Sequence, residues 1–305
     1  MHPPVFVGGI NRSGTTLMAR ILGSHGALAV PPSEFLFFGR GAERPPADRR
    51  EFERRLAEIL RWPRIREWGL DEREVLERSR SWPATAKSLF LLPLEAYRDV
   101  VGKARVGEKS VLNEFRCDVF DGWFSDYRVV QMIRDPVSAY ASSRAGRPAS
   151  LREAIRWGRL WASSAVVGLT RARRDPARHR IVRYEDLTGD PRATIAAVCE
   201  FVGLEPQEEA MLGLSGYEAK ENSSFSASAS GTYEGAIRRS DAVDRQGVVD
   251  RREGAALADA CGPVARALGY ELARPRSLLV AGAFLAEWAR PRQRLRALAT
   301  SRLLG

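Results

Sequence analysis

Arg12 stands inside a glycine-rich turn near the start of the chain. The turn follows an apolar segment, Val5-Phe6-Val7, that predicts a buried strand, and it precedes a predicted helix. Gly9 and Gly14 bracket four residues and two threonines follow, giving the frame G-x-x-x-x-G-T-T. This spacing lets several backbone N–H groups and a helix N-terminus face one anion. The residues predicted to face that anion are Arg12, Ser13, Gly14, Thr15 and Thr16.

This loop differs from the phosphate loop of ordinary ATPases. The lysine expected directly after the second glycine is replaced by Thr15, and the cation comes earlier, as Arg12. An ordinary strand–helix connection would explain the glycines alone. The Arg-Ser-Gly-Thr-Thr run after an apolar strand favours an anion site instead.

A second strand–helix junction carries the same kinds of group. Residues 128–133, RVVQMI, predict a strand, Arg134 follows it, and a helix is predicted over Val137–Arg144. Ser138 and Ser142 lie one turn apart on one face of that helix. Because one junction suits one phosphate, two such junctions predict a ligand that is phosphorylated at two places.

Two charged side chains fall at the ends of further predicted strands. Glu34 comes shortly after the segment Ala27–Val30, and Lys109 lies in the strand and loop Val106–Ser110. Ligands bind outside the carboxyl ends of the strands in open parallel sheets. The sequence leaves two interpretations open for each residue. Glu34 is either a general base or a neighbour of a helix cap. Lys109 either reaches an anion or is a solvated lysine.

The composition narrows the classes of function. The formal net charge of +10 suits anionic ligands, nucleic acid or an acidic membrane surface. Acidic residues are interspersed with the basic ones and no common nucleic-acid motif is present, so no nucleic-acid partner is expected. The three cysteines are far apart, which argues against a disulfide framework or a thiolate metal site and favours a reducing compartment.

The sequence predicts no secretory leader and no membrane span. No charged and then apolar segment precedes Val5, and no apolar run reaches the roughly 18–20 residues that a span requires. A cytoplasmic location is therefore the expectation.

The rest of the chain alternates helices and strands. The predicted helices lie at Asp48–Leu60, at Asp71–Arg80, from Pro83, at 150–174, at Pro191–Val202 with Gly203 as its C-cap, and at Arg251–Tyr270. A further strand is predicted at His179–Tyr184. This pattern predicts an α/β fold with a central parallel sheet and a helical insertion over about 40–104. Trp62, Trp68 and Trp82 are expected to pack the insertion onto the sheet.

Two predictions concern helical segments that lie late in the chain. The helix at 150–174 is expected to bury the residues Leu151, Ile155, Trp157, Leu160, Trp161, Val166 and Val167. The tail, 273–305, holds an apolar stretch between arginines and is predicted to be a basic amphipathic helix. It would dock on the core, on a partner, or flat on an anionic membrane, with the core preferred.

These motifs resemble those of the sulfotransferases that use 3′-phosphoadenosine 5′-phosphosulfate (PAPS). The resemblance rests on the run Arg12–Thr16 after a strand, on Arg134 with Ser142 eight residues on, and on the turn Tyr184-Glu-Asp-Leu. It covers roughly residues 4–272 and implies a P-loop-like three-layer α/β/α domain over 1–272. In that family the first loop binds the 5′-phosphosulfate and the arginine–serine pair binds the 3′-phosphate. PAPS is thus the implied sulfuryl donor, and no metal is implied.

Within that family, the arginine form of the loop and the following glutamate look most like the tyrosylprotein sulfotransferases and their bacterial relatives. The resemblance implies that Arg12 stabilises the transferring group, that Glu34 is the base and that Lys109 assists the leaving phosphate. Tyr184 is carried over as a further cofactor-binding residue. The residues that would close a loop over the cofactor are Ser223 or Ser224 and Arg238 or Arg239. The segment Pro-Ser-Glu-Phe lacks the arginine that the tyrosylprotein enzymes carry two residues after the glutamate, which argues against a protein-tyrosine acceptor.

The expected activity is transfer of a sulfuryl group from PAPS to a hydroxyl of a carbohydrate or small-molecule acceptor, in a chain whose composition suits a GC-rich bacterial genome. A homo-oligomer is compatible with the sequence. One alternative is an ATP-dependent kinase on the same loop frame, which would need magnesium. The other is a nucleotide-binding scaffold or membrane-docked adaptor that uses the basic tail.

Overall fold

The computed structural model describes residues 2–144, 148–213 and 249–272, and within them five strands form one parallel sheet. The strands are β1 Val5–Gly8, β2 Leu28–Ala29, β3 Arg105–Lys109, β4 Arg128–Ile133 and β5 His179–Arg183. Their order in the sheet is β2-β3-β1-β4-β5. The predicted α/β fold with a parallel sheet is confirmed.

Helices cover both faces of this sheet. They are α1 Thr15–Ser24, α2 Arg49–Leu60, α3 Pro63–Arg66, α4 Glu72–Ser79, α5 Ala86–Val100, α6 Cys117–Trp123, α7 Pro136–Arg144, α8 Leu151–Arg174, α9 Tyr184–Gly189, α10 Pro191–Val202, α11 Glu208–Gly213 and α12 Arg251–Ala267. Single 3₁₀ turns lie at Phe38–Arg40 and Asn113–Arg116. Val5 and Val7 pack with α1 and α10 on one face, whereas Phe6 packs with α5 and α6 on the other. This alternation is the period-2 pattern of a strand buried on both faces.

The insertion between β2 and β3 consists of α2 to α5 and packs through aromatic side chains. Asp48 and Asp71 cap α2 and α4 through their carboxylates, as their positions before these helices predict. Trp68 is buried among the aromatic residues of this core, and Trp62 and Trp82 pack against them. The expectation that the three tryptophans fasten the insertion to the sheet is confirmed.

The expectation about the buried residues of α8 is confirmed for Trp161, which is 1% exposed, and wrong for Leu151 and Ile155. Leu151 and Ile155 are 47% and 38% exposed, and the face of α8 that packs inward consists mainly of small residues. The reason is the close approach of α12: a Cβ atom added at Gly158 would lie 2.9 Å from the Cβ of Ala260. A helix pair this close accommodates glycine and alanine where the two helices are nearest, and Trp161 is buried with Cys261 and Ala265 of α12.

The strand order determines where a site can form. β1 lies between β3 and β4, so the loop after β1 meets the segments that follow both neighbours. This is the point in an open parallel sheet where ligands bind. In the described part of the chain, no helix combines the length and the apolar character needed to cross a bilayer.

Candidate active site

The loop after β1 adopts a backbone that its glycines make possible. Gly9 and Gly14 have φ values of +125° and +94°, and Arg12 between them also has a positive φ, +71°. A Cβ atom at Gly9 would lie 2.3 Å from the carbonyl oxygen of Met132, and one at Gly14 would lie 2.5 Å from the Tyr184 ring. Both positions therefore require glycine, for conformation and for space.

The N-terminus of α1 faces the inside of this loop. Gly14 is its N-cap and supplies no side chain to accept from the first N–H groups of the helix. Ser13 Oγ is buried and has no hydrogen-bond partner among the described residues. Thr15 is buried and Thr16 half-buried at the first turn. Donors without an acceptor at a helix N-terminus fit an anionic ligand.

The second junction lies directly against the first. Arg12 Nε donates to Ser142 Oγ at 2.9 Å, and an Arg134 terminal nitrogen lies 3.4 Å from the Arg12 carbonyl oxygen. The Arg134 guanidinium sits 4.2 Å from the centre of the Tyr184 ring, which covers Gly14. The structure thus brings Arg12, Arg134, Ser142 and Tyr184 into one cluster at the carboxyl ends of β1, β4 and β5.

A carboxylate next to Tyr184 fixes the second junction. Glu185 accepts from the backbone N–H of Asp135 at 2.8 Å and from the Tyr270 hydroxyl at 2.8 Å. Asp135 in turn caps α7 by accepting from the N–H of Ser138 at 2.7 Å. Sequence reasoning placed Glu185 in the turn after β5 without a role, because its partners are far away along the chain.

Glu34 and Lys109 form an ion pair at the carboxyl end of β3. Lys109 Nζ lies 2.7 Å from Glu34 Oε1, and Arg64 of the insertion lies 3.2 Å from Glu34 Oε2. The Lys109 side chain is 11% exposed, so it is not a solvated lysine. Glu34 lies in a loop and not at a helix cap. Arg64 is a site neighbour that sequence reasoning missed, since no local motif marks it.

The buried carboxyl group of Glu108 is linked through Ser110 to the segment that contains Glu34. Glu108 accepts from the Ser110 hydroxyl at 2.5 Å and from the Asn113 amide at 2.7 Å. Ser110 Oγ accepts from the N–H of Leu36, a residue with φ +52°. Burial raises the pKa of Glu108 from its ordinary value of 4.5 to about 7, and the hydrogen bonds from Ser110 and Asn113 partly oppose this.

Part of the predicted site lies outside the described residues. Ser223, Ser224, Arg238 and Arg239, predicted to close over the ligand, fall in the undescribed segment 214–248, and the basic tail from 273 falls in another. Every other predicted site residue lies in the loop after β1, at the start of α1, in the loop after β2, at the carboxyl ends of β3, β4 and β5, or within α7.

Comparison with known proteins gives a family and a fold. The model of the sulfotransferase family matches residues 3–209. A sulfotransferase domain of an olefin synthase from Synechococcus PCC 7002 superposes with a TM-score of 0.54 at 19% identity, covering 89% of this chain and 97% of that domain. A sulfotransferase domain from the curacin biosynthetic pathway gives 0.50 at 15% identity, covering 90% and 99%. No curated protein sequence matches at a significant level.

Proposed function

The chain belongs to the sulfotransferase family, and we propose that it transfers the sulfuryl group of PAPS to a hydroxyl group of a carbohydrate or small-molecule acceptor. The observation that carries this proposal is the contact between the two anion-binding junctions. Arg12 of the first and Ser142 of the second share a hydrogen bond of 2.9 Å. A donor with phosphate groups at its 3′ and 5′ ends suits two adjacent anion sites.

The residues present fit such a donor. The unpaired N–H groups at the start of α1 and the buried Ser13 hydroxyl suit the 5′-phosphosulfate. Arg134 and Ser142, each 7% exposed, suit the 3′-phosphate. The donor would supply an activated sulfuryl group on a bisphosphate leaving group.

The chemistry of the transfer would fall to three side chains. Glu34 would take the proton of the acceptor hydroxyl while that oxygen forms its bond to sulfur. Lys109 and Arg12 would offset the negative charge on the phosphate oxygen whose bond to sulfur breaks. The 2.7 Å contact between Lys109 and Glu34 at the end of β3 supports this part of the proposal.

Calorimetric titration with 3′-phosphoadenosine 5′-phosphate, with ATP–magnesium run beside it, tests the donor site. We expect the bisphosphate to bind tightly and Arg134→Ala to weaken that binding by about tenfold or more, since a charge-assisted pair is lost. Arg152→Ala, which changes an exposed arginine on α8, is the matched control. Binding of ATP–magnesium alone would refute the sulfotransferase proposal and favour a kinase.

The acceptor is found by the transfer of labelled sulfate from PAPS to a panel of sugars, phenols and aliphatic alcohols. We expect a labelled product with one of these classes. Labelling of tyrosine peptides in a parallel assay, with no member of this panel labelled, would contradict the acceptor class proposed here.

A further inference from the structure

The buried side chain of Glu114 contacts the loop after β1. Its Oε2 accepts from the backbone N–H of Gly9 at 2.7 Å. The carbonyl oxygen of Gly9 accepts from the N–H of Leu112 at 3.0 Å. Both polar groups of the first loop glycine are therefore held by the segment that follows β3. Glu114 is 1% exposed, and it has no role in the proposed transfer of the sulfuryl group.

Glu114 is itself held by a chain of buried side chains from three other elements. Ser164 of α8 donates its hydroxyl to Glu114 Oε1 at 2.5 Å. Gln131 of β4 donates to Ser164 Oγ at 3.1 Å, and the Gln131 carbonyl oxygen pairs with Nε2 of His179 on β5 at 2.8 Å. Such a chain restricts the carboxyl group to one position.

We propose that Glu114 is a positioning residue of the nucleotide site, which fixes the Gly9 peptide and so directs the loop N–H groups toward the 5′-phosphate of the ligand. The proposal rests on the nucleotide site of the proposed function. With the N–H of Gly9 turned inward to Glu114, the peptides from Ile10 to Gly14 curl around the space in front of α1. Without that bond, Gly9, which has no side chain to restrain it, would rotate and the curl would loosen.

The charge of Glu114 is compatible with an anion above it. Burial raises the pKa of Glu114, and the hydrogen bonds from Ser164 and Gly9 partly oppose that shift. A carboxyl group that is more often protonated repels a bound phosphate less. The positional role does not depend on its charge, because the oxygen that accepts from Gly9 does so in either state.

Two ligands distinguish this positioning role from a general loss of folded structure in the variant. 3′-Phosphoadenosine 5′-phosphate occupies both junctions, whereas adenosine 3′-phosphate lacks the 5′ group. The ratio of their dissociation constants measures what the first loop contributes. In Glu114→Ala we expect binding of the bisphosphate to weaken by about tenfold, and binding of adenosine 3′-phosphate to stay within about twofold, because, of the two anion-binding junctions, only the first loop loses a hydrogen-bond partner.

Two further variants keep the test decisive if Glu114→Ala does not fold. Glu114→Gln keeps an oxygen that accepts from Gly9 and replaces the other oxygen by an amide group that donates to Ser164 Oγ. We expect the wild-type ratio within about threefold. Ser164→Ala removes the group that holds Glu114 and should shift the ratio in the same direction as Glu114→Ala, by less. Glu95→Ala, in a largely buried glutamate of the insertion, is the control and should leave the ratio unchanged.

Failure of the positioning role and failure of the proposed function give different results. Equal weakening of both ligands, or no change in either with Glu114→Ala or Ser164→Ala, would overturn the positioning role. If the wild-type protein binds neither ligand, the proposed function itself fails, whatever the variants do.

Discussion

Glu34 illustrates how single residues acquire a role from their neighbours. Its two carboxylate oxygens are each paired with a cation, Lys109 at 2.7 Å and Arg64 at 3.2 Å. The Ser33 hydroxyl also donates to the carbonyl oxygen of Arg64 at 2.8 Å, so the insertion holds the Glu34 segment at two points. The carboxylate is thus oriented by a strand on one side and by the insertion on the other. A general base needs such a fixed orientation toward the hydroxyl group from which it takes the proton.

Glu34→Gln is the direct test of the base. We expect transfer to the acceptor to fall by about 10²–10⁴-fold, the usual contribution of a general base, because the amide cannot accept the proton. Binding of 3′-phosphoadenosine 5′-phosphate should stay unchanged. Glu58→Gln, an exposed carboxylate on α2, serves as the control. Turnover of Glu34→Gln near the wild-type rate would contradict the assignment.

Gly14 gives a second test at the scale of a residue. Alanine there combines a positive φ with a Cβ atom 2.5 Å from the Tyr184 ring. We expect Gly14→Ala to lower the free energy of unfolding and to weaken nucleotide binding, because the start of α1 must shift. Gly41→Ala is the matched control: its φ is +69° but nothing lies within 4 Å.

The two glycine variants differ in a measurable way. Gly41→Ala should cost about 1–2 kcal/mol through its backbone alone and leave nucleotide binding intact. Gly14→Ala should cost about 1–3 kcal/mol more, measured by chemical denaturation, because of the added overlap. Equal costs and equal affinities would show that Tyr184 moves aside without consequence.

At the scale of elements, the pair α8 and α12 joins the second junction to the rest of the domain. Trp161 of α8 donates its ring N–H to the carbonyl oxygen of Arg134 at 2.9 Å. Glu253 of α12 accepts from the Tyr140 hydroxyl at 2.9 Å and forms an ion pair with Arg144, both on α7. The packing of these helices therefore sets the position of the strand end that carries Arg134.

Two glycines on this helix pair should respond in opposite directions. Gly158→Ala places a Cβ atom 2.9 Å from that of Ala260, and we expect a loss of about 1–3 kcal/mol in the free energy of unfolding. Gly254→Ala on α12 meets nothing within 4 Å and should stabilise by about 0.5–1 kcal/mol through helix propensity. Thermal or urea unfolding measures both. A stabilising Gly158→Ala would refute the close helix contact.

At the scale of the whole molecule, two buried titratable groups oppose each other in the dependence of stability on pH. The pKa of Glu108 is raised to about 7, so the native state binds more protons than the unfolded state between about 4.5 and 7. Burial lowers the pKa of His179 from 6.5 to about 4, so between these values the native state binds fewer protons. Glu108 thus contributes stability at low pH that is lost as pH rises, and His179 does the reverse.

The variants Glu108→Gln and His179→Gln separate the two contributions. From pH 5 to pH 8, the stability of Glu108→Gln relative to the wild type should rise by about 2–3 kcal/mol, because most of the shift in the pKa of Glu108 is expressed in this range. His179→Gln should instead gain relative stability as pH falls from 7 to 4. Urea unfolding at a series of pH values measures both. Parallel curves for Glu108→Gln and the wild type would mean that Glu108 titrates normally.

The local features of the fold could be predicted from the sequence because they depend on short-range chemistry. The strand Arg128–Ile133 and the helix Pro191–Val202 with its Gly203 cap match the predicted bounds. The glycine frame of the first loop predicted an anion-binding backbone, and two of its glycines have the positive φ that such a loop needs. Alternation of strands and helices predicted the parallel sheet. These signals lie within a few residues of what they describe.

Tertiary structure alone decided which distant groups meet. Arg64 and Glu34 are separated by 30 residues, and Glu114 and Gly9 by 105. Neither pair has a local pattern, because the first contact arises from the packing of the insertion and the second from the order of strands in the sheet. The same holds for α8, where small residues are buried beside Trp161 and the predicted Leu151 and Ile155 are exposed, since the closeness of α12 cannot be known from α8. Sequence determined the chemistry of each strand end, and the order of the strands together with the packing of the helices determined its partners.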